Sequence, residues 1–297
     1  MTAITTLGIG NIGLAITKTL LSSKPKPALT IWNRTPSRSH VQTAITHGAV
    51  FTPSLESAIT SSQVIILTLL DYPSIHSIFS TPISSLQNKT IINLTNGTPS
   101  QAVEMAALFK GKGAYKYYDG AIMVTPQMIG GPHSFLVVSG LELDQEVKGV
   151  LEQIGKVVYL GSEVGAAARF DLAALASMYG MFAGGMAGMG LLKRGVNTEN
   201  GGKIGVTVKE MIVPFLMALV PYLGEIAEAW DEERWEDDMG NPLGMQLEGV
   251  RNIITACEEE SVDDGGLKGL MGLMERAVER FGGGGGLAGV GRFVLTE

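Results

Sequence analysis

The chain has 297 residues, enough for two domains or one large one. With 45% hydrophobic and 17% charged residues it can bury a large core, which excludes global disorder. A formal net charge of −7 and an isoelectric point near 5.2 argue against a nucleic-acid binder, whose footprint is basic, yet leave room for a local basic pocket.

Short β-branched runs alternate with amphipathic helical stretches through the first half. Strands are predicted at 4–9, 29–32, 64–70, 90–94, 117–122, 135–138 and 157–160. Helices between several of them include 12–21, 38–47, 100–110 and 143–154. Near-continuous apolar strands separated by helices imply a mostly parallel sheet covered on both faces, a doubly wound α/β domain. After Gly161 helices dominate, at about 164–194, 206–230, 242–260 and 267–281, and a strand is expected, if anywhere, only in the last residues. Pro214 and Pro221 should bend or interrupt the second of these helices. The acidic run 231–238 reads as a solvated helix end and loop, and the glycines 282–286 as a flexible linker.

The expected division is therefore 1–162 for the α/β domain and 163–297 for a joining helix and an all-α domain. Residues 172–192 carry no charge, and Gly180, Gly184 and Gly188 repeat a spacing that lets membrane helices approach closely. Their richness in Ala, Gly and Met favours a helix enclosed by protein over a membrane span. A single cysteine, Cys257, and the lack of a secretory pattern before Gly8 suggest a reducing, cytoplasmic setting. No metal site is expected.

Gly8-Ile9-Gly10-Asn11-Ile12-Gly13 follows the first strand and opens a helix. The first glycine permits a tight turn, the second lets a pyrophosphate approach the backbone, and the third allows close helix–strand packing. The free N–H groups of the helix N-terminus then face the anion. An acid that reads the ribose would stand about 20 residues further on. Asn33, Arg34 and Thr35 stand there instead, with Arg38 a helical turn beyond. Arg34 can pair with a 2′-phosphate, which an acid would repel, and Asn33 and Thr35 can donate to it. The alternative is an exposed polar turn after a strand. The cluster of donors at the position that decides cofactor choice points to NADPH rather than NADH.

Seven stretches together resemble the NADPH-dependent imine reductases, and within them the fungal reductive aminases. They are "WNRT" (32–35), "LLDY" (69–72), "NLTNGTPSQA" (93–102), "GAIMVTPQMIGGPH" (120–133), "YLGSEVG" (159–165), "DLAALASMYGMFAG" (171–184) and "LGMQL" (243–247). The likeness spans about residues 3 to 260. It implies a Rossmann domain, a long interdomain helix and a C-terminal helical bundle. It further implies a homodimer that exchanges helices, each active site lying between one subunit's Rossmann domain and the other's bundle. NADPH/NADP+ is the implied cofactor, with Leu69, Leu70 and Asn93 added to its contacts. The implied substrates are small imines, ketones and amines.

The related β-hydroxyacid dehydrogenases use a lysine near the start of the interdomain helix and a Ser-Gly-Gly turn. This chain has Arg169 and Asp171 at the helix start and an apolar substrate strand.

Reduction of C=N by hydride is easiest when nitrogen is protonated, so a proton source and counter-ion is needed. Asp171 fits both roles, desolvated by Leu172, Leu175 and Met178, although a carboxylate at a helix N-terminus is also explained by the dipole alone. Tyr179, two turns plus one residue on, is either a substrate-orienting hydroxyl or a core tyrosine. Asn93 ends a strand and, on the resemblance, could hold Asp171, an incoming amine or the carbonyl oxygen. Met123, Met178, Phe182, Phe215, Met245 and Gln246 would line the pocket on the same basis, though such residues are more often core. At Phe215 relatives often carry tryptophan. The end of the chain beyond about Val262 departs from the family pattern, with the glycine run replacing the usual terminal helix.

Overall fold

The computed structural model describes residues 2–80, 86–195 and 203–295. Contacts divide the chain into two compact units, Met1–Ala176 and Ser177–Glu297.

The first unit is an eight-stranded sheet flanked by helices. In chain order it contains β1 (Ala3–Leu7), α1 (Asn11–Ser22), β2 (Ala28–Trp32), α2 (Ser39–Thr46), β3 (Val50–Phe51), α3 (Leu55–Thr60), β4 (Val64–Leu67) and α4 (Tyr72–Phe79). Then follow β5 (Thr90–Asn93), α5 (Pro99–Gly111), β6 (Lys116–Ile122), β7 (Phe135–Gly140), α6 (Gln145–Glu152) and β8 (Lys156–Tyr159). The strand order is β3-β2-β1-β4-β5-β6-β7-β8. All neighbours are parallel except β6 and β7, whose connection contains only the one-turn 3-10 helix Pro126–Met128. A parallel pair would need a full crossover there.

The two faces explain the unbroken apolar runs. Ile4, Ile31, Ile66 and Ile92 meet Ile16 and Leu20 on one side of the sheet. Leu7, Ile65, Leu67 and Ile91 meet Ile75, Phe79 and Phe109 on the other. Alternate residues of one strand thus enter different cores, and each buried isoleucine contributes roughly 1.5–3 kcal/mol. The strand order reverses between β1 and β4, which opens a crevice at their C-terminal ends. Sequence reading omits β3, α3 and α4. β3 is two residues long, and α3 and α4 have only six and eight.

α7 (Ala166–Gly195) begins in the first unit and continues in the second. The second unit continues with α8 (Gly205–Thr207), a π turn at Val208–Ile212, α9 (Val213–Leu219), α10 (Tyr222–Asp231), α11 (Leu243–Glu259) and α12 (Leu267–Phe281). Pro214 lies in the first turn of α9 and Pro221 precedes α10, so the prolines segment this region as expected. A 3-10 helix at Leu287–Phe293 stands where a last strand was the alternative.

One expectation is corrected. The glycine run is not a flexible linker. Gly283 and Gly285 accept through their carbonyls from the N–H groups of Gly244 (3.0 Å) and Leu243 (2.6 Å), and Gly286 N donates to Asp237 O (2.8 Å). A Cβ at Gly285 would lie 3.2 Å from Glu236 O, and one at Gly286 would lie 2.6 Å from Met239 Cγ. These positions are glycine because other backbone and side chains press against them. The run thereby satisfies N–H groups that the start of α11 leaves without helical partners.

The uncharged helix is a different case. Within one chain it is not enclosed: Tyr179 is 63% and Met186 61% exposed. α7 and the stretch Gly205–Asp231 are each long and apolar enough to cross a membrane, by length and composition, and almost none of their most apolar residues is buried. The core of the second unit lies elsewhere, in Leu243, Leu247, Met274, Ala277 and Val290.

Candidate active site

The phosphate loop stands at the crevice between β1 and β4. Gly8 has φ +97°, and a Cβ there would lie 2.6 Å from the Thr68 carbonyl oxygen. Gly13 sits so close beneath the loop that a Cβ would collide with the Gly8 carbonyl oxygen and stand 2.6 Å from Thr68 Oγ1. Thr68 Oγ1 itself donates to Gly8 O (2.6 Å), tying the end of β4 to the loop. At Gly10 the opposite holds: a Cβ there would meet nothing within 4 Å. No side chain caps α1 and no acid occupies its first turn. The open space at Gly10 and the uncapped N–H groups fit an anion such as a pyrophosphate.

Ile9–Ile12, Asn33–Thr35, Arg38 and Leu69–Leu70 line one cleft of about 670 Å³ with this loop. The structure thus brings together the predicted cofactor residues other than Asn93, although Gly13 lies beneath the cleft. Asn33 is buried, accepting from Ile9 N (2.9 Å) and donating to Thr35 O (2.9 Å). It braces the loop against the end of β2. Arg34, Thr35 and Arg38 are exposed and available to a phosphate. Asp71 caps α4, and hydrogen bonds from Ser74, with a smaller effect of Arg34's charge, hold its carboxyl below the usual range. A second cleft of similar size, about 630 Å³, lies at the N-terminal ends of the strands. Its Lys89 already donates to the carbonyls of Thr60 and Ser62.

Asp171 lies in the second turn of α7, only 7% exposed. Asn96 Nδ2 donates to its Oδ2 (2.7 Å). Burial pushes its carboxyl above the usual range, and the Asn96 bond opposes that only in part. Asn93, at the end of β5, is completely buried. Its Nδ2 donates to Tyr117 Oη (3.1 Å) and, more weakly, to Asp119 Oδ1 (3.4 Å), and its Oδ1 accepts from Thr95 N (3.1 Å). Thr95 Oγ1 in turn accepts from Leu69 N (3.2 Å) at the cofactor cleft. Asn96, rather than Asn93, grips Asp171.

Met123 packs against Ala121, Val137 and Ala167 in the first unit. Met178, Tyr179, Phe182, Phe215, Met245 and Gln246 belong to the second. There Tyr179 and Phe182 make an edge contact on α7, with centroids 6.4 Å apart. Phe215 and Met245 are largely exposed, and Gln246 Nε2 donates to Asn241 O (2.6 Å). Sequence reasoning missed Asn96, Tyr72, Tyr117 and Asp119. Asn96 and Tyr72 lie inside motifs that carried the resemblance, and that was the only signal.

Taken together, the crevice at the β1–β4 reversal and its row of exposed cations define a Rossmann-type oxidoreductase that takes a 2′-phosphorylated dinucleotide. A family profile described as the NAD binding domain of 6-phosphogluconate dehydrogenase matches residues 3–161. Another, described as the NADPH-dependent reductive aminase-like C-terminal domain, matches residues 163–294. The NADPH-dependent reductive aminase of Aspergillus oryzae is 35% identical over 273 residues, 91% of this chain and 90% of that protein. Among solved structures, a reductive aminase from Aspergillus terreus in complex with NADPH and ethyl-5-oxohexanoate superposes with TM-score 0.90 at 34% identity. It covers 99% of this chain and 100% of its own. An imine reductase from the same organism gives TM-score 0.86 at 35% identity, over 99% of each chain.

This chain belongs to the NADPH-dependent reductive aminases and imine reductases, oxidoreductases that act on C=N bonds. The hydroxyacid dehydrogenase alternative is set aside. The C-terminal profile runs to residue 294 and so takes in the glycine run.

Proposed function

We propose that this enzyme reduces neutral imines and iminium ions, including those formed from a ketone or aldehyde and a small amine, with Asp171 as proton source and counter-ion. The carrying observation is the buried carboxyl of Asp171, desolvated yet held at 2.7 Å by Asn96. Desolvation makes the acid keep its proton further up the pH scale, and the Asn96 donor stabilises the carboxylate left after transfer. NADPH, when bound, supplies the hydride that reduces the C=N carbon. Gly8, Gly10, Asn11 and Ile12 would hold its pyrophosphate, with Gly13 packed beneath them, and Arg34, Thr35 and Arg38 would hold the 2′-phosphate. Leu69 and Leu70 border the remainder.

The proton from Asp171 goes to the substrate nitrogen. Tyr179 orients that nitrogen, and Asn93 fixes the turn after β5 from below. Met123, Met178, Phe182, Phe215, Met245 and Gln246 shape the pocket. Residues 1–162 serve as the cofactor domain and 163–297 as the helical substrate and assembly domain.

The enzyme acts as a cytoplasmic homodimer. Exposed apolar side chains recur along α7 and 205–231, Met217 at 69% and Leu223 at 62% among them, as on a surface that another protein covers. A second copy of this chain, exchanging these helices, covers them. Light scattering at micromolar concentration should give a dimer. A fully active monomer overturns this, and recovery only in detergent would assign the helices to a membrane instead.

The decisive assay follows NADPH oxidation with a cyclic imine and, separately, with a ketone plus a small amine. Turnover is expected in both. Tight NADPH binding without turnover in either would overturn the reading.

A further inference from the structure

Beneath the turn that carries Asn96 lies a second acid. Asp119, on β6, is 1% exposed, and three donors converge on its Oδ1. Tyr72 Oη from α4 stands at 2.8 Å, Tyr117 Oη at 3.3 Å and Asn93 Nδ2 at 3.4 Å. These bonds are charge-assisted while Asp119 is a carboxylate, and they weaken when it takes a proton, because a charged acceptor holds a donor about twice as strongly as a neutral one. Burial nevertheless pushes the carboxyl up to about 7, the three donors opposing it and the charge of Asp171 adding to it. The titratable groups facing Asp119 are therefore Tyr72 from α4, Tyr117 from its own strand and Asp171 from α7. Both tyrosines are driven upward by burial and stay neutral donors.

The turn from Asn93 to Asn96 connects the two acids. Its first residue is held by Asp119 and its last holds Asp171. Between them, Thr95 links the same turn to the cofactor cleft through Leu69.

We propose that Asp119 is a positioning residue for the reduction: as a carboxylate it locks the Asn93–Asn96 turn, and through it the orientation of Asp171. Protonation of Asp119 loosens the turn, so activity rises with pH as Asp119 ionises. This inference rests on the reading of Asp171 given above, and the test separates the two.

The substrate is an N-methylated cyclic iminium salt, whose own charge does not change with pH. The readout is kcat and kcat/KM against pH for wild type, Asp119→Asn, Asp171→Asn and Tyr72→Phe, with NADPH affinity measured alongside. Wild type should show an acid limb near pH 7. Asp119→Asn should lose that limb and about tenfold in kcat while NADPH affinity stays within about twofold. Asp171→Asn should keep the limb at reduced amplitude, and Tyr72→Phe, which removes one donor, should move it to higher pH. A limb that vanishes in Asp171→Asn and persists in Asp119→Asn overturns the proposal and leaves Asp171 in place. Full activity of Asp171→Asn on a neutral imine overturns the reading of Asp171 instead. Should Asp119→Asn fail to fold, Tyr72→Phe decides alone: an unmoved limb refutes the proposal.

Discussion

Gly13→Ala tests how the phosphate loop is built, and the structure supplies the magnitude. The new methyl would collide with the Gly8 carbonyl oxygen. It would also stand 2.6 Å from Thr68 Oγ1, about 0.8 Å short of an ordinary 3.4 Å contact. Neither obstacle is the free end of a flexible side chain, so the loop itself must move. Overpacking of this kind costs about 1–3 kcal/mol, and losing the Thr68–Gly8 hydrogen bond adds about 1 kcal/mol. Alanine's better helix propensity returns less than about 1 kcal/mol. A net loss of about 1–3 kcal/mol should lower the Tm by roughly 3–10 °C. Displacing the N–H groups that face the pyrophosphate should weaken NADPH at least about tenfold. Gly10→Ala is the contrast, since its methyl meets no protein atom within 4 Å. That variant should melt like wild type yet bind NADPH poorly, because the methyl occupies the space left for the cofactor. Fluorescence titration with NADPH and thermal unfolding of both variants give the answer. A Gly13→Ala enzyme with wild-type affinity and Tm would refute the close-packing account.

Arg34→Ala should weaken NADPH about tenfold or more and leave NADH nearly unchanged, because only the former carries the 2′-phosphate. Equal losses in parallel titrations would remove Arg34 from phosphate recognition. Asp171→Asn should lower both kcat and kcat/KM on a neutral imine by about a hundredfold, at unchanged NADPH affinity. Tyr179→Phe should cost less. Asp119 holds its proton up to about 7 in the fold but only to about 3.9 when unfolded. Between those values the native state binds more protons, so the stability it contributes is full below about pH 4 and is lost as pH rises through about 7. Urea midpoints at about pH 5 and pH 8 should therefore fall further in wild type than in Asp119→Asn, and parallel declines would contradict this.

The parts legible in the sequence were those written locally. A strand, a glycine turn and a helix follow one another without interruption at Gly8–Gly13, and the missing acid at Asn33 is visible by counting. The duties of Asn33 were less accessible, because its partner Ile9 N lies across the sheet edge rather than along the chain. Asn96 and Asp171 are 75 positions apart, and no spacing rule links them. The Asp119 cluster draws one member from α4, one from β5 and two from β6, so only the strand order assembles it. The glycine run was misread for a related reason. Composition reports how freely a segment can bend, not what presses against it.

The contacts of that run also order events during synthesis. The first N–H groups of α11 close onto the carbonyls of Gly283 and Gly285, beyond α12, so this helix lacks its proper start until the glycine run has left the ribosome. The sheet of the first unit needs nothing beyond β8 to pair its strands and can form while translation continues. For that interval the nascent chain trails two long apolar stretches, α7 and 205–231, beside an unfinished bundle. Low temperature and slow expression should therefore raise the soluble yield of this enzyme. A chain ended just before the glycine run should accumulate as aggregate, even though every residue that touches the cofactor cleft would be intact.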